Sequence, residues 1–571
     1  MEKYMEVYKS WCENVLDEEI ISELKTLSDN EIKEKFYKDL EFGTGGLRGI
    51  IGAGTNCMNI YMVRKATQGI CEDIINKKLQ DKGVAVSYDS RHKSYEFAWE
   101  SAKVLAANGI KAYIFDSLRP TPELSFAVRY LGCARGIMIT ASHNPKEYNG
   151  YKAYGIDGGQ LPPESADYVA SIIAKTDTFT GVKVMDTDTA KKKGLIEVIG
   201  TEVDNAYYDS VLKQSVNSQA IKTLGDDFKV IYSPFHGTGN IPVREILKRI
   251  GCTNVRIVKE QEMPDPDFST VKSPNPEEKA GFYLAIEMAN KESADIIFAT
   301  DPDGDRIGVI VKDASGDYIP LNGNQIGVLL SEFIMRNKKL RGVLPQNGAV
   351  IKTIVTTDMI KPIAKDYGIK VYDVLTGFKF IGEKIKQFED GVLDNEYVFG
   401  FEESYGYLAG TYCRDKDAVL AAMLVTEMAA DYKTKGMTLY DGLTSLYERY
   451  GFYIEDLKTY AFSGLDGVEK MKSIMEGFRS NPPAVIGGLK VHKIWDVSKN
   501  IKTDIASGTV EELGLPKSNV LKFELEGGSW IAVRPSGTEP KIKFYFASCA
   551  DSLVLAEERK STFMQDMEKL M

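Results

Sequence analysis

Short apolar, β-branched runs alternate with longer amphipathic stretches along most of this chain, and that alternation restricts the fold more than any other feature. The runs include VAVSY (84–88), GIMIT (136–140), KVIYS (229–233), DIIFAT (295–300) and AVIKTIV (349–355). Several are followed within a few residues by Gly, Pro, Asn or Asp and then by a helix-like pattern. Strand, polar loop and helix in repetition predict α/β domains with mostly parallel sheets. The tail differs: KIKFYFAS (541–548) alternates apolar and polar residues, as an antiparallel strand of an α+β domain would. At 571 residues the chain exceeds a single core, and about 150 residues per domain gives three to five domains. Seams are expected near residues 205, 320 and 450.

The formal charge of −11 disfavours nucleic acid and anionic membrane surfaces, and no run of five basic residues offsets it. A small anionic substrate remains compatible, because a pocket can be positive inside an acidic protein. The cysteines at 12, 57, 71, 133, 252, 413 and 549 are odd in number and never spaced C-x-x-C. They read as reduced thiols of a cytoplasmic protein. The N-terminal stretch MEKYMEVYKSWCENVLDEE lacks the apolar core of a signal peptide, and AVLAAMLV (418–425) is too short to span a bilayer. A soluble protein is expected.

In open α/β sheets, ligands sit beyond the carboxyl ends of strands. Four loops there carry unusual chemistry. The first, TASHNPKEYNGYK (140–152), presents Ser142 beside His143 in an irregular turn. Ser142 is a turn or capping serine, or else an exposed nucleophile or phosphate carrier. G-x-S-x-G is absent, which disfavours acyl transfer. The second, DPDGDR (301–306), places three carboxylates at alternate positions of an extended segment, either as a solvated acidic turn or around a hard cation. Arg306 and Lys312 stand where an EF-hand needs Gly and Glu, so Mg²⁺ suits better than a calcium-sensor loop. The third joins TGFKF (376–380) to GFEESYG (400–406) and RDKD (414–417), where Glu402 and Ser404 could hydrogen-bond vicinal sugar hydroxyls or simply be solvated. The fourth, RPSGTEPK (534–541), is an ordinary turn or a phosphate cradle built from Arg534, Ser536, Gly537 and Thr538. No Gly-Lys dipeptide occurs, so a Walker A loop is excluded. GTGGLRG (43–49) has Arg48 in place of the third glycine of a dinucleotide fingerprint. Arg48, in a flexible glycine loop, suits a phosphate better.

Taken in order, TASHNP, DPDGDR, GFEES and RPSGTEP resemble the loops of the α-D-phosphohexomutase family over essentially the whole chain. The resemblance implies four domains around a central cleft: three similar α/β domains with mixed sheets and a C-terminal α+β domain. They are placed at 1–205, 206–319, 320–449 and 450–571. It implies Ser142 as a phosphoserine, with one Mg²⁺ held by Asp301, Asp303, Asp305 and the Ser142 phosphate. Arg306 would contact the transferring phosphoryl, Lys152 and His143 would serve proton transfer or charge balance, and Arg48 matches an early family arginine. Thr376, Gly377, Lys379, Glu402 and Ser404 would read the sugar, and Lys416 would help at the distal end of the substrate. Arg534, Ser536, Gly537 and Thr538 would hold the non-reacting phosphate. The implied activity is interconversion of glucose 1-phosphate and glucose 6-phosphate, primed by glucose 1,6-bisphosphate. Glu403 resembles the glucose-type loop, whereas Phe378 replaces a tryptophan of T-G-W-K-F. Phosphopentomutase and phosphomannomutase are alternatives. From other classes come a Mg²⁺-dependent sugar phosphatase and a catalytically idle sugar-phosphate sensor. No oligomeric state is implied.

Overall fold

The structure, a computed structural model, describes residues 2–43, 45–462, 464–536 and 541–571, with the side chains of 464–466 left out. Four sheets follow one another along the chain. The first runs in space as Gly46–Ile50, Tyr148–Tyr154, Arg135–Ile139, Val84–Tyr88, Ala112–Phe115 and Ile196–Ile199. The second runs Tyr318–Leu321, Ile307–Lys312, Ile296–Thr300, Val230–Ser233 and Val255–Ile257. The third runs Lys370–Val374, Gly348–Thr353, Glu396–Glu402 and Gly406–Leu408. The C-terminal sheet, built around Phe452–Ala461, Lys541–Ala550, Trp530–Pro535 and Leu521–Leu525, is antiparallel throughout these strands.

The first three sheets are mixed, as the resemblance implies: parallel pairs are the majority in the first and third and equal the antiparallel ones in the second. Each keeps a parallel centre and adds antiparallel pairs at one side. The reason the apolar pattern hid those antiparallel pairs is burial. Arg135–Ile139, Ile296–Thr300 and Glu396–Glu402 are covered on both faces nearly throughout, so their antiparallel neighbours do not show as alternation. The loops after Ile139, Thr300 and Pro535, and the GFEESYG part of the third, are hairpin connections between antiparallel strands, whereas TGFKF and RDKD lead from a strand into the helices Phe378–Glu389 and Ala418–Thr434. The expected boundaries at 205 and 319 each fall inside an element, namely the helix Thr201–Leu212 and the strand Tyr318–Leu321.

One continuous apolar core runs through the first three sheets, joining Phe115 and Tyr154 to Tyr232 and Phe298 and on to Phe333 and Phe399. At its centre lies the helix Ala418–Thr434, buried from Ala418 to Tyr432. A helix apolar all round has no solvent face to offer, and here three layers cover it. Among the described residues no helix is long and apolar enough to cross a membrane. The C-terminal sheet has its own core around Phe478, Phe523, Phe544 and Phe563. It meets the third sheet through Trp495, Trp530 and Tyr545, packed on Ile354, Val355 and Leu375.

Candidate active site

Ser142 adopts a left-handed conformation, φ 52°, which a residue with a β-carbon holds only when its surroundings impose it. Arg91 supplies much of that constraint. Its guanidinium, wholly buried, donates to the carbonyls of Ser142 (2.5 Å), Asn144 (2.5 Å), Pro145 (2.9 Å) and Tyr148 (3.1 Å). Asp89 lies 3.4 Å from Arg91 Nε, and the Phe268 ring lies 5.0 Å below the guanidinium. Ser142 N–H donates to Thr140 Oγ1 at 2.8 Å. Contrary to the expectation of an exposed serine, Ser142 is buried, because the second sheet closes over it. Its Oγ donates to Asp301 Oδ2 at 2.8 Å and lies 3.2 Å from His143 Nδ1. Burial, reinforced by the charges of Arg306 and Arg48, pushes His143 down to about 2, so the imidazole is neutral. Arg48 is not in a flexible glycine loop: it stands in the strand Gly46–Ile50 and donates to Asn144 Oδ1 at 3.0 Å.

The segment 301–306 is a tight turn rather than an extended stretch. Asp301 Oδ1 accepts from the backbone N–H of Asp305 (3.1 Å) and Arg306 (3.0 Å), and Gly304 takes φ 64° at the bend. The turn brings the carboxylates together anyway: one oxygen each of Asp301, Asp303 and Asp305 lies within 4.8 Å of the others. Asp303 Oδ2 accepts from Lys152 (2.7 Å) and Thr121 (2.7 Å), and Asp305 Oδ2 faces Lys152 (3.4 Å) and Lys416 (3.1 Å). Asp303 Oδ1 and Asp305 Oδ1 are buried without a hydrogen-bond partner, Arg306 Nε lying 3.8 Å from the latter. Burial and then the charges of Asp303 and Asp305 hold Asp301 well above the usual carboxylate range. Orphaned, mutually repelling carboxylate oxygens of this kind fit a hard divalent cation.

Neighbouring layers fix the turn. Thr121 N–H donates to Asp303 O (2.8 Å) and Ala418 N–H, at the start of the buried helix, to Gly304 O (3.2 Å). Beneath it runs PFHGTG (234–239), where Thr238 N–H donates to Pro302 O at 2.8 Å. A β-carbon on Gly237 would stand 2.5 Å from Pro302 Cα. Sequence reasoning overlooked this segment and Arg91. Its signal was available: a post-strand loop with two glycines, directly after the strand at 230–233. Arg306 is held by Glu277 at 2.8 Å, a partner also missed.

On the third sheet, Glu402 Oε1 accepts from Gly377 N–H at 2.8 Å, which joins the two halves of the expected sugar loop. Burial pushes Glu402 up to about 7, with Lys416 opposing and Glu403 adding to the shift. Glu403 Oε2 is occupied by the hydroxyls of Thr353 (3.0 Å) and Thr356 (2.9 Å). Thr376 and Ser404 are half-buried on either side, and Lys379 begins the helix Phe378–Glu389 with its ammonium 5.1 Å from the Phe380 ring. Lys416 contacts Asp305 (3.1 Å) and Asp415 (2.8 Å), which places it beside the carboxylate triad. Arg534 is the penultimate residue of the strand Trp530–Pro535, paired across the sheet with Lys543, and Ser536 N–H donates to Lys541 O at 2.7 Å. Gly537 and Thr538 lie outside the described residues.

The chain matches four family descriptions in order. They are phosphoglucomutase/phosphomannomutase alpha/beta/alpha domain I over 39–180, domain II over 205–316, domain III over 322–450 and the C-terminal domain over 489–562. It belongs to the phosphoglucomutase/phosphomannomutase family. The resemblance read from the four loops therefore holds. Among relatives of this family, a phosphoglucomutase of Staphylococcus epidermidis (strain ATCC 35984) is 38% identical over 552 residues, 96% of this chain and 98% of its own. One from Staphylococcus aureus (strain MSSA476) is 38% identical over 94% of each chain. In fold, the chain resembles the Paramecium phosphoprotein parafusin, a phosphoglucomutase in its open form. The TM-score is 0.69, with 18% identity over 93% of this chain and 95% of that one. A phosphoglucomutase/phosphomannomutase family protein of Burkholderia thailandensis gives a TM-score of 0.68, with 16% identity over 93% and 97%.

Proposed function

We propose that this family member interconverts glucose 1-phosphate and glucose 6-phosphate through a phosphorylated Ser142 and a glucose 1,6-bisphosphate intermediate. The observation that carries the reading is the 2.8 Å contact between Ser142 Oγ and Asp301 inside the three-carboxylate turn. A phosphoryl carrier belongs beside a cation that can neutralise it, because phosphoryl transfer depends mainly on positioning and charge stabilisation. The near full-length likeness to the staphylococcal phosphoglucomutases supports glucose as the sugar.

Asp301, Asp303 and Asp305 would hold Mg²⁺, which when bound supplies Lewis-acid stabilisation of the phosphoryl oxygens. Lys152 and Lys416 balance the remaining charge of Asp303 and Asp305. As the P–O bond to serine breaks and a new one forms to the sugar hydroxyl, the proton lost by that hydroxyl would end on Ser142 Oγ, and neutral His143, 3.2 Å away, would hydrogen-bond the serine oxygen without itself changing charge. Arg306 and Arg48 face the same point and would receive the phosphoryl group. Glu402, Ser404, Thr376, Gly377 and Lys379 would orient the sugar. Arg534 and Ser536, with Gly537 and Thr538, would hold the second phosphate. We place the enzyme in the cytoplasm, acting on small sugar phosphates.

The deciding assay supplies glucose 1-phosphate, mannose 1-phosphate or ribose 1-phosphate, with and without glucose 1,6-bisphosphate, and follows both isomer and inorganic phosphate. Isomerisation of the glucose compound, primed by the bisphosphate and without phosphate release, is expected. Release of phosphate in step with substrate loss would instead mean a phosphatase. Preference for mannose or ribose would move the substrate, and binding with no turnover would leave a sensor.

A further inference from the structure

Lys522 stands in the strand Leu521–Leu525 of the C-terminal sheet and is wholly buried. Its ammonium lies 4.1 Å from the Trp530 ring and 5.3 Å from the Trp495 ring. From there it reaches out of its own sheet and donates to the carbonyl of Ile354 at 2.8 Å, with Asp358 Oδ2 at 3.9 Å. Ile354 opens the loop that follows the strand Gly348–Thr353 of the third sheet. That loop is the one whose Thr356, with Thr353, donates to Glu403. Lys352 ties the loop from the other side, donating to the carbonyls of Thr353 (3.1 Å) and Thr356 (3.0 Å) and pairing with Asp358 (2.9 Å) and Asp373 (2.6 Å). Glu403 is covalently next to Glu402. A short, unbroken path thus runs from the C-terminal sheet to the carboxylate expected to read the sugar.

Stability does not account for the path. Burying an ammonium is unfavourable, and burial pushes Lys522 down to about 8 even though Asp358 opposes the shift and Lys352 adds to it. A methionine would fill the space between the two indoles without that penalty, and Asp358 would keep Lys352 and Lys361 as partners.

We infer that Lys522 is a positioning residue for sugar recognition: it clamps the 353–358 loop to the C-terminal domain and so sets Glu403 and the adjoining Glu402. The inference rests on the proposed role of Glu402 at the sugar hydroxyls. It makes the seating of the C-terminal sheet on the third sheet and the placement of the sugar loop interdependent, with the Ile354 carbonyl as the joint.

The test compares the wild-type enzyme with Lys522→Met, Thr356→Val and the double variant. Lys522→Met is expected to melt at the wild-type temperature or above, yet to raise KM for glucose 1-phosphate about tenfold while kcat changes far less. Thr356→Val, which removes one of the two hydroxyls that hold Glu403 and leaves the C-terminal domain untouched, is expected to raise KM in the same direction, and carries the test should the methionine variant not fold. The double variant should be no worse than either single one, because both cut the same chain of contacts. Amide hydrogen exchange over 353–359 and 402–405 is expected to quicken in Lys522→Met without any sugar present. Unchanged exchange there, or additive KM effects, would overturn the clamp. Failure of the wild-type chain to turn over glucose 1-phosphate would refute the proposed reaction alone, since the exchange measurement needs no substrate.

Discussion

Lys152→Met should produce an enzyme that binds magnesium more tightly and works much less well. The Lys152 ammonium lies 2.7 Å from Asp303 Oδ2 and 3.4 Å from Asp305 Oδ2, the same two carboxylates whose Oδ1 atoms lack a hydrogen-bond partner and would face a cation. At an effective dielectric of about 20, the first contact alone corresponds to roughly 6 kcal/mol of gross attraction. Desolvation absorbs much of this, and removing one partner of such a buried pair typically costs about 3–5 kcal/mol. Mg²⁺ at the triad would repel the ammonium and neutralise the same carboxylates, so the variant should lose that stability mainly when metal is withheld. The difference appears as metal affinity. If even about 2 kcal/mol of the penalty is confined to the metal-free state, the Mg²⁺ dissociation constant falls roughly 30-fold. Turnover should fall by about 10²-fold or more if the lysine serves proton transfer or charge balance in the chemical step. Urea unfolding in EDTA and in excess Mg²⁺, together with calorimetric Mg²⁺ titration, measures each quantity. Equal destabilisation in both conditions with unchanged or weaker Mg²⁺ binding would show that the lysine does not compete with the cation, and the assignment of the triad as its site would fail.

Ser142→Ala should abolish mutase turnover while glucose 6-phosphate still binds, and wild-type-like activity in that variant would remove the serine from the mechanism. Glu402, pushed up to about 7, accepts a proton as pH falls through neutrality and then loses its value as an acceptor for sugar hydroxyls. KM for glucose 1-phosphate should therefore rise several-fold from pH 8 to pH 6, and Glu402→Gln should flatten that part of the profile relative to the phosphate's own titration near pH 6. Gly237→Ala drives a methyl group into Pro302 and should destabilise by about 1–3 kcal/mol while weakening Mg²⁺ binding; normal affinity in a folded variant would show the turn is not set from below.

The chemistry was more legible in the sequence than the topology. Asp301, Asp303 and Asp305 announce themselves because three carboxylates within five residues demand a common explanation, and the structure gathers their oxygens within 4.8 Å. The strands at 84–88 and 230–233 were visible as apolar runs bounded by turn residues. The antiparallel direction of Tyr148–Tyr154 and Ile307–Lys312 farther out in those sheets was not, since doubly buried antiparallel strands lose the alternation that identifies them. Arg91, Glu277 and Gly237 escaped notice for a different reason. Each acts on a segment distant in the chain: Arg91 grips backbone carbonyls more than fifty residues away, and no local pattern marks a guanidinium that will do so. Lys416 was assigned by its phrase R-D-K-D, which does not name its neighbour in space, Asp305.

The helix Ala418–Thr434 lies between sheets that look separable along the chain, and its first N–H is fastened to Gly304 in the carboxylate turn. Swapping the third domain for that of a cousin would thus import a foreign keystone into two other arches. Chimeras cut at the apparent seams should fail together, in folding and in magnesium handling, whereas grafts confined to the last domain have far fewer obligations to honour.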